Sequence, residues 1–289
     1  MTEVYKQIRR IQIKTTKEVN NVFAGAYHSV FKGRGLEFED ARAYLPGDDE
    51  RSIDWNVTAR MNYPYVKNYR EERELTVMLI VDISASGRFS STSQLKSDII
   101  AELSAVLAFS AIKNHDKVGL LLFSSDIELY IPPKRGQRHV LRLIREILVF
   151  TPKKKGTDVR SALTFLGKVQ RKTAACFLIS DFICEDFHKQ ASLIAKRHDL
   201  IGISVNDPFE KAFPPIGLVN IRDLESGEDT IVDASHPSVQ DAYREETSKR
   251  IQSHKASMNK IGASFIQVRT DEPYVEVLHK FFKRRRRRL

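Results

Sequence analysis

Val77-Met78-Leu79-Ile80-Val81-Asp82-Ile83-Ser84-Ala85-Ser86-Gly87 is the stretch from which the fold can be read. Five consecutive apolar residues without polar alternation suit a strand buried on both faces of a parallel sheet. The run stops on one carboxylate and two hydroxyls spaced two apart. Side chains alternate along an extended chain, so Asp82, Ser84 and Ser86 start on one face and can converge as the chain turns. The carboxyl end of such a strand is where open α/β sheets place their ligand chemistry.

Working outward, apolar runs of strand length recur at Lys117–Phe123, Ala174–Ser180, Leu200–Val205 and Ser264–Val268. Ile127–Ile131 follows the tight Ser124-Ser125-Asp126 connection and reads as an antiparallel partner of the strand before it. Between the strands, helical patterns cover Leu95–Ile112, Val140–Phe150, Asp158–Lys168, Phe187–Arg197, Ser238–Lys260 and Tyr274–Phe282. Strands alternating with helices predict an α/β fold, a Rossmann-like, mostly parallel central sheet with helices on both faces. Pro208, Pro214 and Pro215 mark a long loop ahead of two short strand candidates, Gly217–Arg222 and Ile231-Val232, joined by a turn.

Upstream, residues 1–32 carry an apolar stripe at spacings of three and four, including Ile8, Ile11, Val19, Val22, Phe23, Tyr27, Val30 and Phe31. Gly33-Arg34-Gly35 stops that helix. Leu36–Glu74 follows neither period and interleaves charges of both signs with aromatics; Pro46-Gly47 is a turn, and Val66–Tyr69 reads as an extra strand leading into the main sheet. The expected organisation is 1–74, an N-terminal helix and charged block docking on the sheet; 75–282, the α/β domain; and 283–289, a polybasic tail.

The 289 residues, 42% hydrophobic, suffice for one substantial core plus an appendage. No apolar run approaches the roughly 18–20 residues of a membrane span. Met1–Lys17 is polar and lacks the apolar centre of a secretory signal, so a cytoplasmic location is expected, with peripheral contact at the inner face of the membrane as a second setting. Cys176 and Cys184, eight apart with no second cysteine pair, make a poor zinc site and read as structural. Of the net charge of +10, Lys283–Arg288 supplies +6. That run attracts nucleic acid, anionic lipid or an acidic partner, and equally suits a solvated tail.

Oxygen ligands stand at two further strand ends or strand-to-helix loops: Gly156-Thr157-Asp158 and Ile179-Ser180-Asp181-Phe182. An oxygen-only set selects a hard cation, Mg²⁺ first, with Mn²⁺ or Ca²⁺ as substitutes. The competing structural reading makes Asp82 and Asp181 helix caps and the serines loop residues.

Asp82-x-Ser84-x-Ser86, Thr157 and Asp181 resemble, in order and strand context, the metal-ion-dependent adhesion site of von Willebrand factor A domains. The resemblance implies that Ser84, Ser86 and Thr157 coordinate the cation, with Asp82 and Asp181 holding its waters. Glu37-Phe38, Arg42-Ala43-Tyr44, Gly47-Asp48-Asp49, Arg51-Ser52-Ile53-Asp54-Trp55, Ala59-Arg60 and Val66-Lys67-Asn68-Tyr69 look like the signature of the domain of unknown function 58 family, in which such a block precedes a von Willebrand factor A-like domain. That resemblance implies a partner, a MoxR-type AAA+ ATPase or its client, and a role in protein maturation or complex assembly. Hydroxyl ligands are neutral and leave the cation electrophilic, so an acidic residue of the partner is expected to complete its coordination.

Asp48, Asp49, Asp54, Trp55 and Arg60 are candidate partner-binding residues. The alternative, favoured on the sequence, is a local network in which Arg42, Arg51 and Arg60 pair those acids and Trp55 is buried against the sheet. Two rival functions stand beside the protein-binding module. A haloacid-dehalogenase-like phosphatase would place its nucleophile at Asp82, but its general acid belongs two residues on, where Ser84 cannot protonate a leaving group. Nucleic-acid binding has the basic tail and Lys153-Lys154-Lys155 without a stacking platform. No nucleophile elbow and no phosphate-binding loop is present, so the expected protein is not an enzyme.

Overall fold

The apolar runs assemble into one six-stranded sheet, seen in a computed structural model that describes residues 2–18, 27, 36–71, 75–212, 214–222 and 229–286. The sequence readings at Val19, Val22, Phe23, Val30, Phe31, the Gly33–Gly35 stop, the 223–228 turn and the last three residues lie outside the described residues. In chain order the elements are α1 (Thr2–Glu18), β1 (Leu36–Ala43), α2 (Trp55–Met61), β2 (Tyr65–Glu71), β3 (Thr76–Asp82), α3 (Lys96–Lys113), β4 (Lys117–Phe123), β5 (Ile127–Lys134), α4 (Gln137–Val149), α5 (Val159–Val169) and β6 (Ala175–Ser180). They continue with α6 (His188–Ala195), β7 (Asp199–Asn206), α7 (Pro208–Lys211), β8 (Leu218–Arg222), β9 (Asp229–Asp233), α8 (Pro237–Lys260), β10 (Ser264–Arg269) and α9 (Tyr274–Arg286).

The sheet runs β10-β7-β6-β3-β4-β5, parallel throughout except for β5, which is antiparallel to β4. From β3 the chain steps outward to β4 and β5, then crosses back to β6, β7 and β10 on the other side. β3 is therefore central, and the strand order reverses beside it, where open α/β sheets form a ligand crevice. Val77–Val81 are buried, as an unbroken apolar run requires when helices cover both faces. Gly119 on β4 is a close approach: a Cβ there would lie 2.6 Å from the Met78 sulfur on β3.

The chain divides into two compact units, residues 31–75 and the remainder. In the larger unit α3 is apolar nearly all round and correspondingly buried from Ile99 to Ala111. Its outer side is covered by α1: Ile11 is buried, Gln7 donates to Asp98 (2.8 Å) and Lys14 pairs with Glu102 (2.6 Å). The apolar stripe of the N-terminal helix thus finds its partner in α3, and packing groups α1 with the sheet unit rather than with the charged block that follows it.

In the smaller unit β1 and β2 form an antiparallel pair with a bulge between Phe38 and Asp40. The expectation that Val66–Tyr69 would extend the main sheet is corrected: β2 pairs with β1. Lys67 is only half-buried, and a strand that carries a cation is poorly suited to a position covered on both faces. The tail is also corrected in part. Lys283–Arg286 continue α9, whose Tyr274, Leu278 and Phe282 are buried at a spacing of four, and Arg285 is ion-paired with Asp199. The proline-rich loop opens with a short helix, α7, that has Pro208 at its first position and an Asp207–Glu210 capping box. Cys176 and Cys184 are not joined in a disulfide, and no helix among the described residues is long and apolar enough to cross a membrane.

Candidate functional site

Asp82 is the last residue of β3 and is buried. Its Oδ1 accepts the Ser84 N–H (2.9 Å) and its Oδ2 accepts the hydroxyl of Ser180 (2.6 Å), the last residue of β6. Ile83 donates its N–H to the Phe123 carbonyl at the end of β4 (2.9 Å), which continues the ladder one step past the carboxylate. The chain then winds into a 3₁₀ turn, Ala85–Arg88, closed by Gly87 N–H to the Ser84 carbonyl (3.1 Å). This turn brings the Ser84 and Ser86 hydroxyl oxygens to 3.0 Å from one another. Two adjacent ligands of an octahedral cation at about 2.1 Å are separated by about 3.0 Å. The donor set fits a hard cation.

Thr157 lies half-buried on the loop between α4 and α5 at the same sheet edge. Gly156 precedes it with φ +94°, a conformation that favours glycine. Asp158 donates its N–H to the Ser124 carbonyl (2.8 Å), one residue past the Phe123 that receives Ile83. Asp158 also caps α5 through Arg160 and Ser161. The Thr157 loop is thus fixed to the end of β4, beside the Asp82 turn.

Asp181 follows β6 and is buried. Its Oδ1 accepts the Ile183 N–H (3.2 Å), and its Oδ2 accepts the ammonium of Lys96 (2.9 Å). Phe182, next in the chain, has φ +57°, a left-handed conformation that is costly for a bulky residue. The structural alternative for the two acids does not hold: α3 and α6 begin at caps Leu95 and Phe187, and neither Asp82 nor Asp181 caps an α-helix.

Lys96 was not legible as a site residue. It is the first residue of α3, is buried, and pairs with both Asp181 and the carboxylate of Glu210 in α7. A signal existed: a cation in the first turn of a helix opposes the macrodipole and needs an acid to hold it. Ser180, Glu210 and Asp207 were missed as well. Asp207, buried, accepts the N–H and hydroxyl of Ser91 and the Thr270 hydroxyl, and so anchors the loop that leads into Lys96.

The electrostatics follow from burial. Removal from water raises the Asp82 carboxyl to about 7, and the Asp181 charge adds to the effect against the opposing hydrogen bonds of Ser180 and Ser84. For Lys96, burial works against the charge, but Asp181 and Glu210 more than offset it and hold the ammonium above its ordinary value. A cleft of about 150 Å³ opens beside Asp82 and Ser84, lined also by Arg88, Ser97, Ile100 and Ile147. Among the described residues no group of three or more His, Cys, Asp or Glu side chains is arranged to hold a metal.

The charged block keeps one pair of the network expected of it. Arg42 and Asp48 form a bidentate pair, both contacts at 2.7 Å. Asp49 caps the Glu50–Ser52 turn and Asp54 caps α2, so these acids serve backbone N–H groups. Neither Arg51 nor Arg60 is ion-paired with a described residue. The expectation that Trp55 is buried is overturned: it is 70% exposed. The seven-residue α2 buries none of its residues and offers Trp55 no apolar face to turn into.

Comparison with known proteins adds the following. The uncharacterized protein Rv1480 of Mycobacterium tuberculosis is 28% identical over 287 residues, 97% of this chain and 89% of that one. The uncharacterized protein YeaD of Bacillus subtilis is 24% identical over 145 residues, 50% of this chain and 34% of that one. Among solved structures, the conserved hypothetical protein BatB from Bacteroides thetaiotaomicron is similar, with a TM-score of 0.49 at 16% identity, over 74% of this chain and 99% of that one. The SpRpn10 VWA domain matches with a TM-score of 0.40 at 10% identity, over 71% of this chain and 94% of that one. Residues 40–254, well over half of the sequence, match the family described as Protein of unknown function DUF58, and the chain belongs to that family.

Proposed function

We propose that this protein is a Mg²⁺-dependent protein-binding module rather than an enzyme. The observation that carries the reading is the pair of hydroxyls on Ser84 and Ser86, 3.0 Å apart above a buried carboxylate at the point where the strand order reverses. Ser84, Ser86 and Thr157 would hold the cation, with Asp82 and Asp181 on its waters. When bound, the cation supplies an electrophilic centre that accepts a carboxylate from a partner. Neutral hydroxyl ligands leave that centre little quenched, and Ser180 and the Ser84 N–H orient the Asp82 carboxylate. The partner proposed is a MoxR-type AAA+ ATPase or its client in protein maturation or complex assembly; family membership is what supports it. The exposed Trp55, beside Asp54 on α2, is a second contact proposed for the partner.

The other classes lose ground on specific observations. Ser84 occupies the general-acid position of a phosphatase and is held against Asp82. Arg285, one of the basic residues proposed to reach nucleic acid, is engaged by Asp199.

The test is affinity capture from lysate with Mg²⁺ or with EDTA, using the wild-type chain and Ser84→Ala/Ser86→Ala, followed by identification of what binds. Partner capture lost both in EDTA and in the double variant, with melting temperature unchanged in the absence of cation, supports the reading. A partner retained equally in EDTA overturns it.

A further inference from the structure

Lys96 is an internal ammonium placed where two forces oppose it. It is buried, and it stands at the amino end of a helix whose dipole repels positive charge. Two carboxylates hold it there, and they belong to different structures. Asp181 is part of the strand-end site, 2.9 Å from the ammonium. Glu210 belongs to α7, where its Oε2 accepts the Asp207 N–H (3.0 Å) and its Oε1 contacts Lys96. One cation therefore bridges the site to an acid outside it.

The charges decide what this does. Asp82, Asp181 and Glu210 ionised, against Lys96, leave a cluster of net charge −2, which one divalent cation neutralises. Without Lys96 the cluster is −3 and attracts the cation more strongly; without the Glu210 charge it is −1 and attracts it less. The ammonium also occupies the Asp181 oxygen Oδ2, while Oδ1 takes the Ile183 N–H. A cation and its waters must therefore share Asp181 with Lys96.

We propose that Lys96 is a built-in counter-cation that sets the affinity of the site for divalent cations, and that Glu210 retains the ammonium when a cation engages Asp181. Lys96 is a positioning residue that acts through Asp181. The inference rests on the cation reading of the site given above. It makes the site weak for the cation alone and leaves the partner's carboxylate to complete tight binding.

Titration calorimetry of the full chain with MgCl2, and separately with MnCl2, tests it. Lys96→Met is expected to lower Kd for the cation by about tenfold or more, and Glu210→Gln to raise it several-fold, opposite shifts from neighbouring residues that are not ligands. Lys96→Met strands two buried carboxylates and can fail to fold. Lys96→Met/Glu210→Gln compared with Glu210→Gln alone isolates the same effect with one fewer orphan acid, and tighter binding by the double variant is again expected. Kd values that agree within about twofold in each comparison, or shift the other way, overturn the role of Lys96 while leaving the cation site standing. No binding of either cation by the wild type or any variant removes the cation reading itself, and this inference with it.

Discussion

Replacing Asp82 with asparagine should stabilise the cation-free protein while abolishing its response to Mg²⁺. The carboxyl is raised from its ordinary value of 3.8 to about 7, by burial first and by Asp181 second. In the unfolded chain the group loses its proton near pH 4; in the folded chain it keeps it to near pH 7. Between those values the folded state holds more protons, so stability declines as pH rises, and the loss is complete above pH 7. Each tenfold change in proton affinity is worth about 1.4 kcal/mol, which gives an upper bound of about 4 kcal/mol for the cost of the ionised group. Relaxation around the charge lowers that figure, and about 1–3 kcal/mol at pH 8 is the expected gain from Asp82→Asn. The asparagine fits the same contacts: its oxygen accepts the Ser84 N–H, and its amide faces the Ser180 hydroxyl, which can reverse its role. Urea unfolding from pH 4.5 to 8.5, with and without Mg²⁺, is the assay. The wild type should fall relative to the variant across that range, and Mg²⁺ should restore the wild type alone. A variant less stable than wild type at pH 8 without cation would show that the carboxylate is a structural anchor, and the reasoning would be refuted.

Trp55→Ala should leave the unfolding midpoint unchanged to within about 0.5 kcal/mol, because the side chain is 70% exposed, yet weaken partner capture. A large loss of stability would mean that the indole is packed in solution. Ile11→Ala, which opens the contact of α1 with α3, should cost about 2–4 kcal/mol in urea unfolding; a cost near zero would mean that α1 does not dock on α3. Gly156→Ala forces a side chain into φ +94°, should cost about 1 kcal/mol or more, and should weaken Mg²⁺ binding by displacing Thr157. Unaltered calorimetric Kd in that variant would separate Thr157 from the cation.

The main sheet was legible because its strands announce themselves. Val77–Val81, Lys117–Phe123 and Ala175–Ser180 are apolar without alternation, and only a strand covered on both faces needs that. The turn holding Asp82, Ser84 and Ser86 was legible for a related reason, since polar residues directly after a buried run must stand at the sheet edge. What sequence hides is long-range pairing of charge. Lys96 reads as an ordinary surface lysine until Asp181 and Glu210, 85 and 114 positions away, are seen to close on it. Lys67 did carry a warning that β2 was unsuited to the interior of the main sheet. Trp55 misled because aromatic residues usually bury their area, and a seven-residue helix with no buried side gives no local cue that it cannot. The basic run was half-legible: its charge is plain, while the stripe of Tyr274, Leu278 and Phe282 that draws Lys283–Arg286 into α9 lies upstream of it.

The site also gathers costs that packing alone would have removed. Asp82 is buried and destabilised as an anion, Lys96 is a buried ammonium at the wrong end of a helix, and Phe182 is a bulky side chain in a left-handed conformation. An asparagine would relieve the first; removing the ammonium would strand the carboxylates of Asp181 and Glu210, and removing the Phe182 ring would empty a buried position, so the surrounding fold is built to bear these two costs. Scattered over the chain they would mean little, but all three lie at one edge of one sheet, within two residues of Asp82 or Asp181 or in contact with them. That edge is the place where the topology opens a crevice. Fold stability does not favour an ionised Asp82 there, whereas the proposed cation-binding crevice would need an ionised Asp82 and an Asp181 presented at the strand end. The gathering of these local costs at this edge supports the binding proposed there.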